Sequence, residues 1–175
     1  MPRTQTTADG RDAAWDDDAG EGDFAVAAYR EDGVWHVSRL AGNAHDDLSA
    51  LVRALQQRPP ESAPLAFVGV DDDFYVAARL VGRDVRLLLS DVTAASEWPL
   101  AREVLDTLGE ELPDDDEPRP VGDLGMFADL GLPRRVVEGM CDDDELYPDE
   151  ACVELADRLG FGPQLEFALR RLAAR

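Results

Sequence analysis

The chain has 175 residues, enough for one ordinary domain plus a small appendage, with a core that needs no disulfide or metal to hold it. Its 38 acidic residues against 17 basic ones leave a formal charge of -21 at pH 7, far beyond what solubility asks. Such a surface repels phosphate, so direct docking on nucleic acid or an anionic membrane is disfavoured, and a basic protein partner is favoured instead.

Every basic residue is Arg, Ile is absent and Asn43 is the sole Asn, a pattern read as high-GC coding bias. No Arg is therefore singled out for being Arg. Cys141 and Cys152 form neither a CxxC pair nor a regular disulfide framework, which fits a reducing, cytoplasmic compartment. Residues 1–22 are rich in Asp with the lone aromatic Trp15, the composition of a disordered tail and not of a signal peptide or membrane anchor.

An α+β domain is expected over 23–109. Phe24 to Arg30 and Val34 to Leu40 are short β-propensity runs split by Glu31-Asp32-Gly33, a strong hairpin signal. Asn43 offers an N-cap for a helix in which Leu48, Leu51, Val52 and Leu55 recur on one face until Pro59-Pro60 stops it. Leu65 to Val70 is apolar throughout, as a central strand covered on both faces would be. Asp71-Asp72-Asp73 and Gly82-Arg83-Asp84 turn the chain into strands over Phe74 to Val81 and Val85 to Ser90.

A helix follows with Ser96 as its expected cap, Pro99 in its first turn, Ala101, Val104, Leu105 and Leu108 on one face, and Gly109 at its end. The order is ββαβββα, a five-stranded, mostly antiparallel sheet similar to profilin, longin and roadblock domains. Those folds mostly serve as protein-binding or dimerising platforms, so a homodimer is one expected assembly.

Residues 110–122 read as an acidic, Pro-rich linker, with Pro113, Pro118 and Pro120 around Asp114 to Glu117. A small all-helical unit is expected over 123–175, with helices near Asp123 to Leu130, Pro133 to Cys141, Asp149 to Leu159 and Pro163 to Leu172. Gly131 and Gly160 are placed as C-caps.

No complete catalytic constellation emerges. Asp142-Asp143-Asp144-Glu145 fails the calcium-loop spacing, since Tyr147 and Val153 stand where Gly and a bidentate Glu are needed. His36 lies on the solvent side of a half-buried strand, opposite Trp35 and Val37, and His45 falls in the first turn of the first helix. Neither belongs to a nucleophile motif. Gly122, Gly125 and Gly131 are spaced wrongly for a phosphate loop. The large aromatics Trp35, Trp98, Phe74, Tyr75, Phe127, Tyr147, Phe161 and Phe167 read as core. Trp98, beside Pro99 at a helix start, could equally be an exposed anchor for a partner, with Asp142, Asp143, Asp144 and Glu145 as an electrostatic rim. No residue is assigned to catalysis, a cofactor or a metal.

From about Phe24 to Leu169 the chain resembles the tRNA adenosine deaminase-associated proteins of high-GC bacteria. The resemblance is carried by Phe24-Ala-Val-Ala-Ala, Asp73-Phe-Tyr-Val-Ala-Ala-Arg-Leu, Leu89-Ser-Asp-Val-Thr-Ala-Ala, the acidic linker, and Leu124 through Leu132 with Tyr147-Pro-Asp-Glu-Ala. It implies association with the zinc enzyme that converts the wobble adenosine of tRNA to inosine. The chain is not that enzyme, which needs His-Xaa-Glu and Pro-Cys-Xaa-Xaa-Cys. Here His36 precedes Val37-Ser38, and Cys141 and Cys152 are eleven apart. A non-catalytic accessory or regulatory protein is the leading expectation. The alternatives are a nucleic-acid mimic blocking another basic protein, and a hydrolase using Asp71, Asp72, Asp73 or Asp91 with a bound cation.

Overall fold

The structure, a computed structural model, describes residues 23–40 and 42–173. The segment 1–22, expected as a disordered tail, lies outside the described residues, and Trp15 with it. Six strands, β1 (Phe24–Glu31), β2 (Val34–Arg39), β3 (Leu65–Val70), β4 (Phe74–Val81), β5 (Asp84–Leu89) and β6 (Val121–Gly122), form one sheet in the order β2-β1-β3-β4-β5-β6. Every pairing is antiparallel.

The α+β class is as expected, but the sheet has six strands where five were expected. Val121 and Gly122, at the end of the segment read as linker, pair with Leu89 and Leu88. Two residues are too few to show an alternating pattern. Gly122 makes the pairing feasible, because its φ is 115° and a Cβ there would run into the Leu87 carbonyl.

Residues alternate between two cores across the sheet. In β3, Ala66, Val68 and Val70 enter the first, whereas Leu65 and Phe67 enter the second. In β4, Phe74, Val76, Ala78 and Leu80 face one way, and Tyr75 and Ala77 the other. The apolar run read from Leu65 to Val70 thus has the two-sided burial it implied. Helices α1 (Leu48–Gln56) and α2 (Pro99–Leu108) cover the first face. Helices α3 (Arg134–Asp142), α4 (Pro148–Leu159) and α5 (Gly162–Ala173) belong to the second layer, where Val137, Leu155 and Leu165 join Phe67 in one buried cluster.

The local start signals differ from expectation in three places. The N-cap of α1 is Asp47, whose side chain accepts from the Ser49 and Ala50 N–H groups, while Asn43 donates to Asp47 Oδ2 at 3.1 Å. The helix starts at Leu48, so Asp47 is the residue placed to accept from its first-turn N–H groups, and His45 falls in the turn ahead of the helix. The N-cap of α2 is Trp98, and Ser96 instead ends a 3-10 turn (Val92–Ser96), its hydroxyl donating to the Thr93 carbonyl at 2.9 Å. Over 123–130, a helix gives way to turns and a single 3-10 helix, Ala128–Leu130. There the Asp123 carboxylate accepts from Gly125 N–H at 3.1 Å, a local bond that competes with helix formation beside a weak helix former.

Two features fasten the second layer. Arg79 on β4 is buried, and its Nη1 donates to the Met126 carbonyl at 2.7 Å and to Asp129 Oδ1 at 2.6 Å. Its Nη2 reaches Asp129 Oδ2 at 3.0 Å, completing a two-pronged pair. An aromatic group adds to it: Phe161 lies 4.6 Å from Trp35 and 6.1 Å from Phe67, and Phe127 meets Phe67 edge-on at 6.3 Å, centroid to centroid.

Candidate partner-binding surface

The two expected contact groups sit on opposite faces of the sheet. Trp98 is half-buried at the margin of the first core, with its ring 6.1 Å from Phe74 and its Nε1 donating to Asp73 Oδ2 at 3.0 Å. A ring held in this way closes a core edge at the start of α2. Asp142, Asp143, Asp144 and Glu145 are all exposed where α3 gives way to α4, and Asp143 Oδ1 accepts from Glu145 N–H at 3.0 Å. Both groups border the start of β4: Phe74 meets Trp98, and the Tyr75 hydroxyl lies 3.4 Å from Cys141 Sγ.

Beyond the Asp142–Glu145 run the chain builds a groove that the sequence reading missed. On α4, Ala151, Cys152, Leu155 and Ala156 face the sheet, leaving Val153 half-exposed beside them. Leu146 and, from α5, Leu169 are likewise half-buried, and with Val153 they form an apolar floor. Carboxylates stand along it: Asp149, Glu150, Glu154 and Asp157 from α4, and Glu166 from α5. The concavity measures about 610 Å³, and Arg170 is the one base in its lining among the described residues. A signal was present in the chain, since Val153 and Leu169 are apolar residues at the margin of their helices' core-facing stripes.

Some of these acids have local duties. Glu150 Oε1 accepts from the Tyr147 N–H at 3.1 Å, which steadies the start of α4, and Glu154 pairs with Arg158 at 3.3 Å. Exposed helical pairs of this kind hold their side chains only weakly, so Glu154 can exchange partners at little cost.

Elsewhere the chemistry-bearing residues have structural surroundings. The Asp91 carboxylate accepts from the Thr93 N–H at 2.9 Å and from the Thr93 hydroxyl at 2.7 Å, and Asp71 donates its N–H to Asp23 at 2.7 Å. His36 is exposed and stacks on Tyr29 at 5.1 Å, the solvent side on which the alternation placed it. Burial pushes the Cys141 thiol up, opposed by its hydrogen bond to Tyr75, and pushes the wholly buried Cys152 up further. Both therefore stay protonated at neutral pH, which withholds the thiolate that nucleophilic chemistry uses. Among the described residues, no three His, Cys, Asp or Glu side chains gather so as to hold a metal ion, and no helix is long and apolar enough to cross a membrane. Tyr147 and Phe167 are exposed, unlike the other aromatics read as core.

Comparison with known proteins gives one consistent result. A family model described as Rv3753c-like tRNA adenosine deaminase-associated protein matches residues 23–162. Protein Rv3753c of Mycobacterium tuberculosis is 38% identical over 153 residues, which cover 85% of this chain and 88% of that protein. No solved structure matches.

Proposed function

Since the chain belongs to the Rv3753c-like tRNA adenosine deaminase-associated protein family, we propose that it is a non-catalytic accessory protein of that deaminase in the cytoplasm. The observation that carries this reading is the acid-lined, apolar-floored face of the α4–α5 layer on a chain of net charge -21. An enzyme that binds tRNA must present basic surface to phosphate. An acidic protein can cover that surface or compete with tRNA for it, and in either case attraction between opposite charges speeds the encounter. Residues 23–109 then act as the platform, 110–122 as a connector and 123–175 as the partner-facing layer. Direct contact with nucleic acid is not part of this role.

Purified protein and zinc-loaded deaminase from the same organism are expected to co-elute in size-exclusion chromatography at low ionic strength. The complex should dissociate steeply as salt shortens the reach of exposed charges to about 8 Å at 0.15 M. Separate elution at low salt would sink the proposal, and inosine formation by this protein alone would overturn its non-catalytic part.

A further inference from the structure

We propose that the α4–α5 groove seats an amphipathic, Arg- and Lys-rich helix of the partner; this rests on the accessory reading above. Leu146, Val153 and Leu169 keep apolar surface half in water along the groove, and a second apolar stripe is what would cover it. The walls select the character of that stripe's flanks. Glu154 and Asp157 on α4 and Glu166 on α5 stand on both sides of the floor, so cations flanking a Leu- or Val-rich helix face would meet carboxylates on either side. At the Leu146 end the exposed run Asp142 to Glu145 continues the negative rim.

A competing concavity sharpens the choice. Beside edge strand β2 lies a hollow of about 490 Å³ lined by Trp35, His36, Val37, Pro163, Gln164 and Phe167, with no carboxylate among them. It has apolar surface but nothing to choose a basic partner. A smaller concavity of about 310 Å³ on the α2 side also mixes apolar and acidic residues, among them Leu105, Asp106 and Glu110, but the α4–α5 groove is the larger and runs on to the exposed Asp142–Glu145 stretch.

The test compares two double charge reversals of equal net effect against zinc-loaded deaminase at low ionic strength. Glu154→Arg with Glu166→Arg alters the groove, and Glu61→Arg with Asp106→Arg alters exposed positions outside its lining. The groove pair is expected to raise Kd about tenfold or more and the control pair less than about threefold. Equal weakening by both pairs, or none by either, overturns the groove while leaving association intact. Hydrogen exchange on the unaltered chain guards against misfolded variants: protection on binding should fall on residues 146–157 and 166–170. Protection confined to β2 overturns the groove alone, and no complex with the unaltered chain overturns the accessory reading with it.

Discussion

Arg79 and Asp129 show what a single residue can hold together. Arg79 is buried, so its charge is costly unless matched, and Asp129 matches it from a side chain that is 66% exposed. The hydrogen bond from Arg79 holds the Asp129 carboxyl below the usual carboxylate range, against the opposing effect of burial. A carboxyl whose folded pKa lies below its unfolded value contributes stability that is present above the unfolded pKa and is lost as pH falls through the folded one. Asp129→Asn is therefore expected to cost about 1–2 kcal/mol at neutral pH, less than a wholly buried pair because the carboxylate is screened by solvent. Denaturant titrations of both proteins should converge as pH drops below the normal carboxylate range, and a difference constant with pH would refute the ionic account. Little of this pair was legible in the chain. Arg79 interrupts an apolar strand, but only the fold brings Asp129 to it from fifty residues away. His36 was legible, because alternation along a half-buried strand is a local rule. Cap choice between Asn43 and Asp47 was not, since either residue type can cap and the true start of the helix decides.

At the scale of elements, long patterned segments were readable and short ones were not. The Asp32-Gly33 turn appears with both residues at positive φ, 54° and 79°, as the hairpin signal requires. Strand β6 was hidden because it has two residues and follows a Pro-rich stretch. Its pairing holds the end of the stretch read as linker against the last residues of β5, and so fixes where the second layer starts. Asp123 just beyond it is held by its N–H donating to the Leu87 carbonyl at 2.8 Å and by an ion pair with Arg86 at 2.8 Å. Gly122→Ala puts a Cβ against the Leu87 carbonyl at a φ that side chains rarely adopt. The expected cost is about 1–3 kcal/mol, with faster amide exchange at Leu89 and Asp123. Unchanged exchange at both would mean that β6 contributes nothing to docking the layer.

The whole molecule is a sheet buried on both sides, and that places a condition on any division of the chain. Phe24, Val26, Leu65, Phe67, Tyr75, Ala77 and Leu88 form a continuous apolar face whose cover, among the described residues, comes from residues beyond Gly122. The apolar run of β3 foretold two-sided burial, yet which helices supply the second cover is a matter of pairwise packing that no periodicity encodes. The helices there are amphipathic and of ordinary length, so from the chain they read equally well as a separate unit. Ending the chain at Gly109 would leave that face in water, a contiguous patch dominated by Phe and Leu, and would also strip Arg79 of Asp129. The shortened protein is expected to aggregate or to bind a hydrophobic dye strongly during refolding, while the sheet with α1 and α2 keeps its local propensities. A soluble, monomeric, cooperatively unfolding 1–109 fragment with no dye binding would show that the second layer is only an attachment. In that case the partner-facing groove would move independently of the sheet. With the layer fixed to the sheet by Phe161 and Phe127, the groove is instead held in register with the platform, and partner binding should raise the thermal stability of the whole chain in one transition.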